Sequence, residues 1–279
     1  GQLSIPSDTV CYPAKIMHGH VELLIDQGID LIFYPSLTYN IDEGHSANHY
    51  NCPIVAYYGE VLRGNMESLK QVRFFYPYLN IYNERFLRRT LLPAVQQLDP
   101  TVTRSEVRRA VRKGYAALRA ERETIKRAGE EALDFARKNN KRIMILAGRP
   151  YHIDPEICHG IDRLATSLGF VVVSEDSVAH LAKLPLIKVL NQWTYHSRLY
   201  QAAQFACEND DVELVQLVSF GCGLDAITSD EVQRIMEKDG KLYTQIKIDD
   251  IKNLGAVRIR LRSLLGALEA RQDNYEKQA

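Results

Sequence analysis

Three cysteines stand where a thiolate can do chemistry. Cys222 lies between Gly221 and Gly223, after an apolar segment, 212–218, that reads as a buried strand, and before a run from Leu224 to Glu237 with the apolar spacing of a helix. That places its sulfur at the carboxyl end of a strand, where open α/β sheets bind ligands. It also places it at a helix amino terminus, whose N–H groups favour a thiolate. Cys11, in Val10-Cys11-Tyr12-Pro13, reads as a second strand-to-helix junction. Cys52 follows a polar, histidine-rich loop over 40–51 and, with Pro53, leads into a strand expected at 54–58. If two lobes face each other across a cleft, these three thiolates can share one metal centre with its fourth position open, as a reacting iron–sulfur site requires. The plain alternative is a set of tight turns around small cysteines. Cys158 and Cys207 fall inside helical patterns and read as small core hydrophobes.

A rival metal set uses histidines: His18 and His20 follow Cys11, and His45 and His49 precede Cys52. Imidazole with thiolate suits zinc, yet His18 and His20 point to different helix faces and no paired CxxC or HExxH is present. Gly148-Arg149-Pro150-Tyr151-His152 follows another strand end, so Arg149, Tyr151 and His152 are ligand-contact candidates, joined by His196 on a later helix. His152 suits proton transfer or an anion contact; its structural alternative is to cap the following helix. No residue draws a catalytic role. GxGxxG, GxxxxGK[ST] and GxSxG are absent, which removes the usual support for dinucleotide, P-loop and serine-hydrolase readings.

The elements that must position these residues alternate between strand and helix. Strands are expected over 29–34, 54–58, 73–76, 142–147, 170–173, 212–218 and 241–248. Helices are expected after Cys11 to Gly28, over 83–97, 155–168, within 188–207, over 224–237 and from Asn253 or Leu254 through Leu268. Between the halves, Thr103 to Lys138 reads as one long helix, or two with a break near Gly129. Its basic face carries interspersed glutamates and no aromatic platform, so it reads as solvated rather than as a nucleic-acid surface. The fold class is therefore α/β: two Rossmann-like lobes with mainly parallel sheets, 1–102 and 141–279, joined by a helical segment over 103–140.

Composition agrees. The 279 residues are 46% apolar, enough for a real core, and 35 basic residues balance 35 acidic ones, giving no global pull to nucleic acid or an anionic membrane. No apolar run is long enough to span a bilayer and no signal pattern opens the chain, which points to the cytoplasm. Five scattered cysteines do not form a disulfide framework. The abrupt opening, Gly1-Gln2-Leu3-Ser4, suggests a piece of a longer polypeptide, and whether the first lobe is complete at its start stays open.

Six motifs occur together and in order: Cys11-Tyr12-Pro13-Ala14-Lys15 with His18-Gly19-His20; Asn51-Cys52-Pro53; Gly148-Arg149-Pro150-Tyr151-His152-Ile153-Asp154-Pro155-Glu156; Gln192-Trp193-Thr194-Tyr195-His196-Ser197-Arg198; Phe220-Gly221-Cys222-Gly223-Leu224-Asp225-Ala226; and Asn253-Leu254-Gly255-Ala256-Val257-Arg258-Ile259-Arg260. In this combination the chain resembles, from end to end, the dehydratase-like, cluster-binding portion of the large proteins related to 2-hydroxyacyl-CoA dehydratase activators. The resemblance implies a cubane-type (4Fe–4S) cluster between two lobes, with Cys11, Cys52 and Cys222 on the family's candidate ligand positions. It implies an ATP-hydrolysing activase as partner, fused upstream or in trans, fed by a donor such as ferredoxin or flavodoxin and passing on one electron at very low potential. The activity it implies is an acyl-CoA dehydratase-like lyase or an ATP-dependent reductase. The alternatives are a non-catalytic docking or regulatory module and a zinc-supported structural domain, with neither nucleic acid nor membrane as partner.

Overall fold

The computed structural model describes residues 2–7, 10–44, 46–219, 221–248 and 254–278. The chain is mixed α/β, and every pairing between its strands is parallel. It divides into two compact units, 1–124 with 190–197 and 125–189 with 198–279.

In the first unit, α1 (Tyr12–Asp26) starts directly after Cys11, with Pro13 in its first turn. Its inward residues Ala14, His18 and Val21 recur at helical spacing. No strand precedes Cys11 among the described residues, so the strand-to-helix junction expected there is a helix start alone. Strand β1 (Leu31–Phe33) and strand β2 (Ser36–Tyr39) follow.

The segment expected as a strand over 54–58 is instead part of α2 (Pro53–Asn65). Exposed Val55 and Tyr57 alternate with buried Ala56 and Tyr58, which imitates a strand over four residues. The buried set then continues at Gly59 and Leu62, the helical period. Pro53 lacks the N–H that a ladder needs but fits a helix's first turn. At Gly59 the helix comes so close to the strands that a β-carbon would meet Tyr76 at 3.1 Å and Ser36 Oγ at 3.2 Å.

Strand β3 (Arg73–Phe75) pairs with β1, and β4 (Tyr78–Asn80), not foreseen, pairs with β2. Instead of one sheet the unit thus has two parallel pairs. They are separated at Pro35 and Pro77, which have no N–H to give, although Tyr34 N–H to Phe75 O (2.8 Å) and Ser36 N–H to Pro77 O (2.9 Å) bridge the gap.

Helix α3 (Glu84–Gln96) is capped by Asn83, whose side chain accepts the Phe86 N–H. Helix α4 (Arg104–Lys138) opens with a capping box in which Thr103 and Glu106 bond each other's backbone N–H. It runs unbroken through Gly129, so the break considered there does not occur.

The second unit holds strands β5 (Ile143–Ala147), β6 (Val171–Ser174), β7 (Val212–Ser219) and β8 (Thr244–Ile248) in the order β6-β5-β7-β8. Register runs Ile145↔Val173, Ile145↔Leu214 and Leu217↔Ile246. Every residue of β5 and β7 is buried, as expected for central strands covered on both faces. The order reverses between β5 and β7, and the crevice outside their carboxyl ends is the ligand position of such sheets.

The helix expected over 155–168 is two, α5 (Pro155–Cys158) and α6 (Ile161–Ser167). His159 (φ 52°) and Gly160 (φ 79°) between them take left-handed backbone, which ends a helix. Short α7 (Glu175–Val178) follows β6. Then come α8 (Thr194–Cys207), α9 (Gly223–Lys238) and α10 (Gly255–Gln278). The last runs beyond the expected end at Leu268; its expected start, Asn253, lies outside the described residues.

Candidate functional site

At the carboxyl edge of β5 and β7 the second unit carries a buried polar cluster. Gly148 follows β5 and lets the His152 ring fold back: a β-carbon there would lie 2.6 Å from Nδ1. His152 is buried, and its Nδ1 accepts the Arg149 backbone N–H at 3.0 Å. That nitrogen therefore carries no proton, so the neutral ring keeps its proton on Nε2, 3.0 Å from Ser219 Oγ at the end of β7. Burial first, then the Arg149 charge, pushes the imidazole pKa well down. His152 thus ties the β5 loop to β7 as a neutral fastener.

Arg149 and Asp225 form a buried ion pair, Nη2 to Oδ2 at 2.8 Å, each side chain 5% exposed. The same Asp225 oxygen accepts the Ser219 N–H at 2.8 Å. The Tyr151 ring lies under the guanidinium, 4.8 Å from centroid to carbon, and edge-on to His152. Burial raises the Asp225 carboxyl and the Arg149 charge opposes it. The 2.8 Å geometry of the pair and the hydrogen bond from Ser219 both favour its charged form.

Cys222 caps α9 from this cluster, its Sγ accepting the Asp225 N–H at 3.4 Å. Gly221, at φ 73°, makes the turn that brings it there. Burial raises its thiol and the Asp225 charge adds to that, while the Arg149 guanidinium and the Asp225 N–H pull toward the thiolate. Phe220 lies outside the described residues.

In the first unit, Cys11 and Cys52 hold the same backbone post. Each is the N-cap of a helix in extended conformation, φ −62° and ψ 151° for Cys11, φ −61° and ψ 155° for Cys52. A proline follows in the first turn of each helix. Both adjoin one tyrosine pair. Burial, then Cys11, then Tyr34 raise Tyr58 to about 12, and burial, then Cys52, raise Tyr34. Tyr58 also bonds His18 Nε2 through its hydroxyl at 2.8 Å, and His18 Nδ1 meets Ser4 Oγ at 3.3 Å.

The loop before Cys52 is held by the segment 190–197: Ala47 N–H donates to Asn191 O (2.9 Å) and Tyr50 N–H to Gln192 O (3.1 Å). Trp193 packs edge-on against Tyr50, and buried His196 lies tilted against Trp193. His49 is engaged by Ser46, by Asp42 at 3.4 Å and by the face of Tyr82. His20 is exposed, and His45 lies outside the described residues.

Cys158 is a buried core residue. Cys207, at the end of α8, directs its sulfur toward Ile235 O and Met236 Sδ, and burial pushes its thiol to about 12. Among the described residues, no three or more His, Cys, Asp or Glu side chains group so as to hold a metal ion.

Three members of these clusters were not singled out from sequence. Asp225 carries a local signal, three residues after Cys222 and so in a helix's first turn, where carboxylates cap. Tyr58 gives none, because the helix bearing it reads as a strand. Glu175 follows the end of β6, is fully buried, and is pushed up to about 8 by burial and then by Asp176, against Arg198.

No helix among the described residues is long and apolar enough to cross a membrane. In comparisons with known families, residues 1–178 match the CoA enzyme activase uncharacterised domain. No curated protein matches the chain.

Proposed function

Because the chain belongs to the family of the CoA enzyme activase uncharacterised domain, we propose that it is an iron–sulfur cluster-binding, electron-accepting module of a system related to the 2-hydroxyacyl-CoA dehydratases. Its electron comes from an ATP-hydrolysing activase, itself reduced by a ferredoxin- or flavodoxin-like donor in the cytoplasm.

One observation carries the reading. Cys11, Cys52 and Cys222, and neither Cys158 nor Cys207, are helix N-caps in extended backbone. That post lies at the positive end of the helix, and Cys222 turns its sulfur onto the Asp225 N–H there, a setting that favours the thiolate that iron requires. This shared chemistry supports Cys11, Cys52 and Cys222 as the donors to such a cluster. When bound, such a cluster supplies one-electron transfer at a potential tuned by its surroundings. The chain's own residues supply those surroundings. Arg149 sets a positive charge beside Cys222, the Asp225 N–H bonds its sulfur, and Tyr34 and Tyr58 keep their hydroxyl protons beside the other two sulfurs.

Anaerobic reconstitution with ferrous iron and sulfide tests this. The expected result is bound iron with equimolar sulfide and a broad visible absorption that bleaches on reduction. Cys11→Ala, Cys52→Ala and Cys222→Ala each lose it, while Cys158→Ala and Cys207→Ala keep it. Stoichiometric zinc without iron would mark a structural zinc domain instead. No metal in a folded protein would mark a docking module.

A further inference from the structure

On the first unit, α3 and the start of α4 enclose a groove of about 640 Å³. Arg85, Arg88, Arg89, Arg104 and Arg108 line it, and among the described residues no acidic side chain does. The sequence spacing explains the convergence. Arg85, Arg88, Arg89 and Leu92 stand at i, i+3, i+4 and i+7 on one face of α3, and Arg104 and Arg108 stand one turn apart on α4. Beneath, an apolar seam locks the two helices together: Val107, Val111 and Tyr115 of α4 against Leu87, Leu91 and Val95 of α3.

The carboxylates that might neutralise this row are engaged elsewhere. Glu84 lies 3.8 Å from Arg119, and Glu106 accepts the Thr103 N–H (2.8 Å) and hydroxyl (2.7 Å). Arg88 donates to the Glu84 backbone oxygen at 3.1 Å, and among the described residues none of the five arginines forms an ion pair. Like charges one turn apart destabilise a helix, so the packing of α3 on α4 holds together guanidinium groups that repel one another. An anion of several charges relieves that repulsion. Guanidinium forks match phosphate oxygens bidentately, and the Ser105 side chain lines the same groove.

We propose that this groove binds a small molecule carrying two or more phosphoryl groups and of nucleotide size. The phosphates would sit on the arginine rows, and the uncharged part would lie along Leu92 and Val107. The site is independent of the cysteines, so it stands or falls separately from the cluster.

Titration calorimetry of the whole chain with inorganic pyrophosphate and with ATP, at physiological ionic strength, tests it. The expected result is one-to-one saturable binding that weakens as salt rises. Arg89→Ala/Arg108→Ala should weaken it roughly ten-fold or more without lowering the free protein's melting temperature, since repulsion is relieved. Arg109→Ala, on α4 but outside the groove, should leave binding unchanged. Absence of saturable binding, or equal loss in Arg109→Ala, overturns the proposal. So does a single-stranded oligonucleotide that binds more tightly than ATP and is lost in the same double variant, which would make this a nucleic-acid surface.

Discussion

Arg149 shows how much one buried side chain can control. Its charge balances Asp225 across 2.8 Å, faces Cys222, and helps keep His152 neutral. Truncating one partner of a buried pair leaves the other charge in the interior without compensation, which costs about 3–5 kcal/mol. Arg149→Ala should lower the unfolding free energy by that order in urea titrations, and adding Asp225→Asn should recover part of it. If the single variant changes stability by less than about 1 kcal/mol, the pair is not what holds the Cys222 turn. Position in sequence made Arg149 a candidate, because it follows a strand end. The identity of its partner, 76 residues away, was not legible. Only the closing of β7 beside β5 brings the two together.

At the scale of the element, periodicity reads well where a segment is long and poorly where it is short. The whole of α4, 35 residues, is visible in its apolar stripe. The start of α2 is not, because four alternating residues fit either a strand or one edge of a helix. Glycine is ambiguous for a similar reason, and α4 supplies the contrast. At Gly129 a β-carbon would lie 2.6 Å from Ser177 O and Cβ, whereas at Gly114 nothing stands within 4 Å. Gly129→Ala should therefore cost about 1–3 kcal/mol through overpacking, and Gly114→Ala should gain up to about 1 kcal/mol from helix propensity. Thermal unfolding of the two variants separates these cases. Equal shifts in both would mean that Gly129 is an ordinary helical glycine.

For the whole molecule, stability should depend on pH through Glu175. Its carboxyl is fully buried and titrates at about 8 in the folded chain, against an ordinary value of 4.5. The folded state therefore holds the proton more tightly than the unfolded one. The contribution is complete below the ordinary value and is lost as pH rises toward about 8, at up to about 1.4 kcal/mol per pH unit. Urea midpoints should fall between pH about 5 and about 8, and Glu175→Gln should flatten that slope; an unchanged slope would mean that Glu175 ionises normally. The amino-acid sequence by itself determined the alternation of strand and helix, the parallel α/β class, and the helix starts after Cys11 and Cys222. All of these follow from local periodicity and from proline and glycine chemistry. That Cys52 also opens a helix came only with the structure. Only the tertiary structure decided that the first unit's strands form two pairs broken at Pro35 and Pro77, that His152 is a neutral link rather than an open donor, and that arginines of α3 and α4 share a groove. Those outcomes depend on which distant segments pack together, and no single stretch of chain encodes its partner.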